Sequence, residues 1–312
     1  MQTIIVTGAS SGIGRAISDV LAAQGYHIIM ACRNVEKGER TKDEIIANTG
    51  NRNIEVAYLD LLSLKSVQQF IDKFGERREG NGGIERSGEG YGGNGGESKL
   101  KIYALINNAG AMFAEPLPTE DRIERTLATN YTSVFALTTG LLSFMADGST
   151  IINTLSVMVH TTKIDRNIFD IPSAKEYKRL NQYSRSKVAL MYFTYELAKR
   201  VKDSSVGATV SLPPNISVCA TDPGVVNTGI ITMGNRLDPL ANIFFRPFCK
   251  KPETAAEITL RALRHRQNSF LYKGHHSNLP LPQLDEEFSR WLWNETATFV
   301  EKTGRFCRQL QE

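Results

Sequence analysis

Apolar residues recur along the chain in two alternating patterns. Short runs rich in β-branched residues stand at Thr3–Thr7, His27–Ala31, Ile54–Leu59, Leu100–Asn107, Thr150–Leu155, Ile216–Thr221 and Phe270–Tyr272. Between them apolar positions return three and four residues apart. Ala16, Ile17, Val20 and Leu21 do so after the first run, and Val67, Phe70, Ile71 and Phe74 do so within Leu64–Phe74. The first pattern predicts strands and the second predicts amphipathic helices. Helices are also predicted over Val35–Thr49, Arg122–Met145, Tyr183–Arg200, Glu253–Arg264 and Glu286–Lys302, the last carrying Trp291 and Trp293. A strand, a crossover helix and a second strand imply parallel pairing. Repeated along the chain, that unit predicts a single α/β domain built on a doubly wound parallel sheet.

Two segments break the alternation. Gly75–Ser98 is rich in Gly, Glu, Arg, Asn and Ser, with Ile84 and Tyr91 as its sizeable apolar or aromatic residues. So little apolar surface cannot offset the entropy of ordering the segment, which predicts a flexible surface insertion. Gly229–Pro252 is punctuated by Gly234, Pro239, Pro247 and Pro252 and holds Leu240, Ile243, Phe244, Phe245 and Phe248. It is expected to form the substrate-binding loop region, either as an apolar lid or as a loop packed on the core.

Composition narrows the class. The chain is 41% hydrophobic and 22% charged, which excludes a disordered or collagen-like protein. Its 37 Lys and Arg against 33 Asp and Glu leave +4 with no clustered basic stripe, so the expected partner is a small molecule and not a nucleic acid. Cys32, Cys219, Cys249 and Cys307 form no CxxC pair, and neither a metal site nor a redox pair is expected. No apolar run reaches membrane-spanning length, and no leader pattern precedes the run at Thr3. The expectation is a cytoplasmic protein without a membrane anchor.

The chemistry starts at Gly8, Gly12 and Gly14, which sit between the first strand and the first helix. A chain turning sharply there can bring its backbone close to a diphosphate. The helix that follows then offers N–H groups and its positive dipole end to that charge. The second strand ends in Cys32-Arg33-Asn34 where an NAD site usually has Asp or Glu. A carboxylate would repel a 2′-phosphate, whereas Arg33 can hold one with a charge-assisted fork, and Ser10 can add a hydroxyl. NADP is therefore expected over NAD. Asp60 ends the third strand, where it can accept from the adenine amino group. Asn107-Asn108-Ala109-Gly110 ends the fourth and would line the crevice beside the adenosine ribose; Asn107 can also stitch neighbouring strands together.

Tyr183 and Lys187 are four apart on a predicted helix, hence on one face. A nearby ammonium lowers a phenol's pKa and fits it for proton exchange with an alcohol or carbonyl oxygen. Ser156 follows a strand end and can hold the substrate oxygen. Asn130, a polar residue inside the predicted long helix, can bind a water that links Lys187 to solvent.

Together these residues resemble a classical short-chain dehydrogenase/reductase. The matching elements are Thr7-Gly8-x-x-x-Gly12-x-Gly14, Asp60, Asn107-Asn108-Ala109-Gly110, Asn130, Ser156, Tyr183-x-x-x-Lys187 and Asp222-Pro223-Gly224-x-x-x-Thr228. Ala31-Cys32-Arg33-Asn34, Leu59-Asp60-Leu61, the long gap from Ser156 to Tyr183, and Trp291-Leu292-Trp293 are similar to the retinol dehydrogenase-like branch. The resemblance implies a Rossmann fold and a catalytic tetrad of Asn130, Ser156, Tyr183 and Lys187. It places Gly8, Ser10, Ser11, Gly12, Ile13, Gly14, Arg33, Asn34, Asp60, Leu61, Asn107, Asn108, Ala109, Gly110, Tyr183, Lys187, Pro223, Gly224, Val226 and Thr228 on the cofactor. It also implies NADPH-linked reduction, or the reverse oxidation, of a lipophilic carbonyl or alcohol. The alternative is a non-catalytic NADP-binding sensor or scaffold of the same fold. The tetrad argues against it, since a sensor has no need of all four reactive groups.

Overall fold

The computed structural model describes residues 1–79, 100–203, 213, 215–224, 251–274, 277–282 and 284–304. Eight strands form one sheet in the order β3-β2-β1-β4-β5-β6-β7-β8. They are β1 (Thr3–Thr7), β2 (His27–Cys32), β3 (Ile54–Tyr58), β4 (Ile102–Asn107), β5 (Met145–Thr154), β6 (Ser217–Asp222), β7 (Phe270–Lys273) and β8 (Ser277–Pro280). The helices are α1 (Gly12–Ala23), α2 (Val35–Thr49), α3 (Leu64–Glu79), α4 (Arg125–Leu127), α5 (Ser133–Leu141), α6 (Arg179–Lys202), α7 (Pro252–His265) and α8 (Glu286–Gly304).

Adjacent strands from β3 through to β7 run parallel, and β1, β2, β4, β6 and the second half of β5 are buried on both faces. Alternation within a strand decides which layer each side chain enters. Ile4 and Val6 pack with Ile17 and Leu21 of α1, while Ile5 faces the layer that holds Val67, Phe70 and Phe135. Each such burial contributes about 1.5–3 kcal/mol. On the second face Phe135 of α5, Phe193 of α6 and Trp293 of α8 meet ring to ring at 4.9–5.8 Å. The connection order leaves a crevice beyond the carboxyl ends of β1 and β4, where the chain winds outward in opposite directions.

Several boundaries differ from those the pattern predicts. Arg122–Met145 is not one helix. It is the single turn α4, a π-helical turn at Ala128–Thr132, α5, and a 3₁₀ turn at Leu142–Phe144; Met145 already opens β5. The π turn falls at Asn130, whose side chain bonds out of the helix. β5 begins early because Met145 pairs with Ile102 ahead of a register shift. The sheet is not wholly parallel, since β8 returns antiparallel to β7. Ser277-Asn278-Leu279-Pro280 has little intrinsic strand preference, and its pairing with β7 supplies what local sequence does not. Pro280 is tolerated because β8 is an edge. Gly75–Glu79 belongs to α3, so the predicted insertion starts late; its remainder lies outside the described residues. Only Lys251 and Pro252 of the predicted substrate loop are described, and Pro252 serves as an early helical residue of α7.

At the opposite end of the sheet from the crevice, buried His27 spans three strands. Its Nδ1 lies 3.0 Å from Thr3 Oγ1, and its Nε2 lies 2.9 Å from Glu55 Oε1. Cys32 and Cys219 are buried free thiols. No described helix is long and apolar enough to cross a membrane.

Candidate active site

The glycine turn and the end of β4 form one unit. Gly8 has φ +69° and Gly12 has φ +56°, both in the left-handed region that favours glycine. A Cβ on Gly14 would lie 2.4 Å from Gly8 O and 2.6 Å from Asn108 Nδ2. Asn108 Nδ2 donates to Thr7 O at 2.9 Å, and Thr7 Oγ1 accepts from both Asn108 N and Ala109 N at 3.0 Å. Thr7 is thus the strut between the two loops, a role that its β-branched strand context does not reveal.

The arrangement leaves the start of α1 bare. Ser11 is its N-cap but makes no side-chain cap bond, and no acid lies in the first turn. Among the described residues, the leading N–H groups and the positive dipole end therefore have no side-chain cap. Beside them is a depression of about 380 Å³ lined by Ser10, Ser11, Gly12, Arg15, Lys37, Arg40, Thr41 and Glu44. These features fit the diphosphate and adenosine end of a dinucleotide. Ile13 is partly buried next to this turn, packed on the layer of α1.

The charged groups here divide in two. Arg15 pairs with Asp19 and Glu44, and Arg40 with Glu36. Arg33 and Lys37 are exposed and pair with no carboxylate among the described residues. Lys37 was not singled out from sequence. It sits in the first turn of α2, and no sequence motif marks it. Asn34, expected on the cofactor, caps α2, with its Oδ1 accepting from Lys37 N at 2.8 Å. Ser10 lies against the Cys32 thiol and receives Thr41 Oγ1 on its carbonyl at 3.3 Å. Asp60 Oδ1 accepts from Leu62 N at 3.0 Å, and Asp60 N donates to Ser66 Oγ. Leu61 turns its side chain into the core, while its carbonyl accepts from Ser133 Oγ at 2.8 Å.

Asn107 takes the stitching role. It is buried, and its Nδ2 donates to Thr138 Oγ1 at 2.9 Å and to Asn153 Oδ1 at 2.8 Å; Asn153 passes the chain on to Thr194. Ala109 and Gly110 are half-buried at the crevice. Pro223 is buried, and Gly224 (φ +74°) donates its N–H to Asp222 Oδ1 at 2.9 Å. Val226 and Thr228 lie outside the described residues.

Three of the four reactive residues converge. Ser156 follows β5 and caps a 3₁₀ turn at Val157–His160, its Oγ accepting from Met158 N at 3.3 Å. The Ser156 hydroxyl neighbours the Tyr183 phenol. Lys187 Nζ lies 5.8 Å from the centre of the Tyr183 ring and donates to Thr154 O at 2.8 Å. Lys187 is buried, and burial alone lowers its pKa to about 8. The predicted depression of the tyrosine is not met. Burial pushes the Tyr183 phenol above its ordinary range; the neighbouring Ser156 hydroxyl opposes this, and the Asp222 carboxylate adds to it.

Asn130 stands a layer behind. Its Oδ1 accepts from Ala111 N, and its Nδ2 donates to Ala111 O and to Ser186 Oγ, at 2.8–2.9 Å. Both amide protons are thereby used, so the expected water relay does not run through them. Its connection to the phenol is indirect: Ser186 Oγ donates to Tyr183 O at 2.7 Å.

The model of the short chain dehydrogenase family matches residues 2–81 and 97–235. Human retinol dehydrogenase 13 is 33% identical over 307 residues, covering 96% of this chain and 84% of that protein. Human retinol dehydrogenase 12 is 31% identical over 261 residues, covering 83% and 72%. Among solved structures, a short-chain dehydrogenase from Sphingobium yanoikuyae in complex with NADPH aligns with a TM-score of 0.60 at 18% identity, over 99% of this chain and 98% of that one. A short chain dehydrogenase/reductase from Burkholderia phymatum in complex with NAD aligns equally well, at 0.60 and 18%, over 88% and 89%.

Proposed function

The chain belongs to the short-chain dehydrogenase family, on its retinol dehydrogenase branch, and is an NAD(P)-dependent alcohol and carbonyl oxidoreductase; from that premise we propose that it reduces lipophilic carbonyl compounds with NADPH. The observation that carries this reading is the Tyr183 phenol, beside the Ser156 hydroxyl and one helical turn from the Lys187 ammonium, whose Nζ lies 5.8 Å from its ring centre. When bound, the nicotinamide supplies the redox chemistry by giving or taking a hydride. The protein's part is the proton and the orientation. Tyr183, kept protonated by burial, is poised to donate to a carbonyl oxygen. Ser156 holds that oxygen, and Lys187 opposes the negative charge left on the phenol.

Arg33 and Lys37 support NADP(H). Two cations that pair with no carboxylate among the described residues, Arg33 just past β2 and Lys37 in the first turn of α2, suit a 2′-phosphate and offer nothing to a bare ribose hydroxyl that a carboxylate would not offer better. Lipophilic substrates are supported by the names of the relatives and by apolar surface near Tyr183. Leu180, three residues before it on α6, is 60% exposed.

The test is Tyr183→Phe in the full chain, with NADPH and a panel of retinaldehyde, aliphatic aldehydes and ketones. Turnover should fall by about 10²–10⁴-fold, the range for general acid catalysis, while NADPH still binds. A variant that turns over like the wild type overturns the assignment of the proton donor.

A further inference from the structure

The backbone beyond Gly110 is gripped by three side chains from two other stretches of the chain. Asn130 brackets Ala111, bonding both its N–H and its carbonyl at 2.8 Å. Arg179 donates to Met112 O from Nε at 3.2 Å and from Nη2 at 2.9 Å. Tyr177 donates its hydroxyl proton to Phe113 O at 2.9 Å. Three consecutive carbonyls thus end on side chains. Backbone polar groups off a ladder need partners, yet water serves most loops. Long side chains held in place here make the segment rigid where water would leave it free.

Glu124 joins the grips. It is 1% exposed. Its Oε1 accepts from Thr126 N and its Oε2 from Leu127 N, both at 2.9 Å, capping α4. Oε2 also accepts from Gln182 Nε2 at 2.8 Å, and Oε1 lies 3.3 Å from the Tyr177 hydroxyl. The same carboxylate therefore contacts the element leading to Asn130 and the residue just before Tyr183. On α6, Arg179, Tyr183 and Lys187 recur four apart and share a face. Met112 is held one turn before the phenol on that face.

We infer that Tyr177, Arg179 and Glu124 are positioning residues, which hold Ala111–Phe113 as a fixed wall beside Tyr183 and so confine the substrate oxygen at the phenol. None touches the reacting atoms; their effect is orientation, to which reaction rates are steeply sensitive. The inference rests on the proposed role of Tyr183. It extends the site into the long gap between Ser156 and α6, which no catalytic motif covers.

Tyr177→Phe in the full chain removes one hydroxyl and keeps the ring. Amide hydrogen exchange over residues 111–113 of the cofactor-free protein should quicken about tenfold or more, with other segments unchanged. In NADPH-dependent reduction of retinaldehyde, kcat should fall about tenfold, while KM for NADPH and the thermal midpoint stay near wild type. Arg179→Met should reproduce both signatures through the Met112 grip. Unchanged exchange in both variants overturns the inference, as does a loss of kcat that tracks a loss of NADPH affinity or of folding. Tyr183→Phe separates the two readings. If it retains turnover, the proton donor is misassigned, and exchange at 111–113 still reports on the grip.

Discussion

The Lys187 ammonium donates to the carbonyl oxygen of Thr154 at 2.8 Å, from the middle of α6 to the last residue of β5. That bond ties the catalytic helix to the sheet and aims a buried amine at the floor of the crevice. Its proton is weakly held, because burial brings the amine from its ordinary 10.5 to about 8.

Reduction should therefore slow as pH rises through about 8. Above that value the amine is neutral and no longer opposes charge on the Tyr183 phenol. The check is kcat/KM for carbonyl reduction against pH. A profile level well above pH 8 would remove the lysine from this role. Stability moves the other way. The folded pKa is depressed, so the unfolded chain holds the extra proton between about 8 and 10.5. The cost of burying the charge is present in full below that window and fades as pH rises across it.

Arg33→Ala and Lys37→Ala should each raise KM for NADPH about tenfold and leave KM for NADH nearly unchanged. A charge-assisted bond to phosphate contributes about 1.5–3 kcal/mol, and 1.4 kcal/mol is a factor of ten. Raised ionic strength should narrow the gap between the cofactors, since both side chains are exposed. Equal loss with both cofactors would show that neither residue reads the 2′-phosphate.

Gly14→Ala should abolish dinucleotide binding and destabilise the fold by about 1–3 kcal/mol, the usual cost of overpacking. The new methyl would meet a backbone oxygen at 2.4 Å, and relief requires moving Gly8 or Asn108 out of the turn. Thermal unfolding and NADPH fluorescence titration measure the two effects.

Phe135→Ala should cost about 3–5 kcal/mol. The ring is fully buried between Phe193 and Trp293, where α5, α6 and α8 meet. Denaturant unfolding should show the loss, while the ratio of NADPH to NADH efficiency stays that of the wild type, because the ring lies far along the sheet from Arg33.

The sheet, most of its helices and the glycine turn were legible in the sequence because each rests on local rules. Thr3–Thr7 and Val35–Thr49 form over the predicted residues, for a β-branched run and a capped helix depend on near neighbours. Errors cluster where distant partners decide. Asn130 turns its helix into a π turn because its amide bonds Ala111 and Ser186. β8 exists because β7 is there to pair with it. Asn34 caps a helix and Asn107 stitches neighbouring strands, and of these two bonds only the strand stitching was expected from sequence.

What the sequence determined by itself was the class of chemistry: a glycine turn ahead of a helix, a cation where a carboxylate would select NAD, and Tyr183 with Lys187 on one helical face. Those are properties of spacing and side-chain type. Only the tertiary structure decided the protonation of that chemistry and its surroundings. Desolvation depends on everything packed around a group, so the phenol is raised where spacing alone predicted a fall. The wall at Ala111–Phe113, held from positions far along the chain by Asn130, Tyr177 and Arg179, exists only once the fold has brought them together.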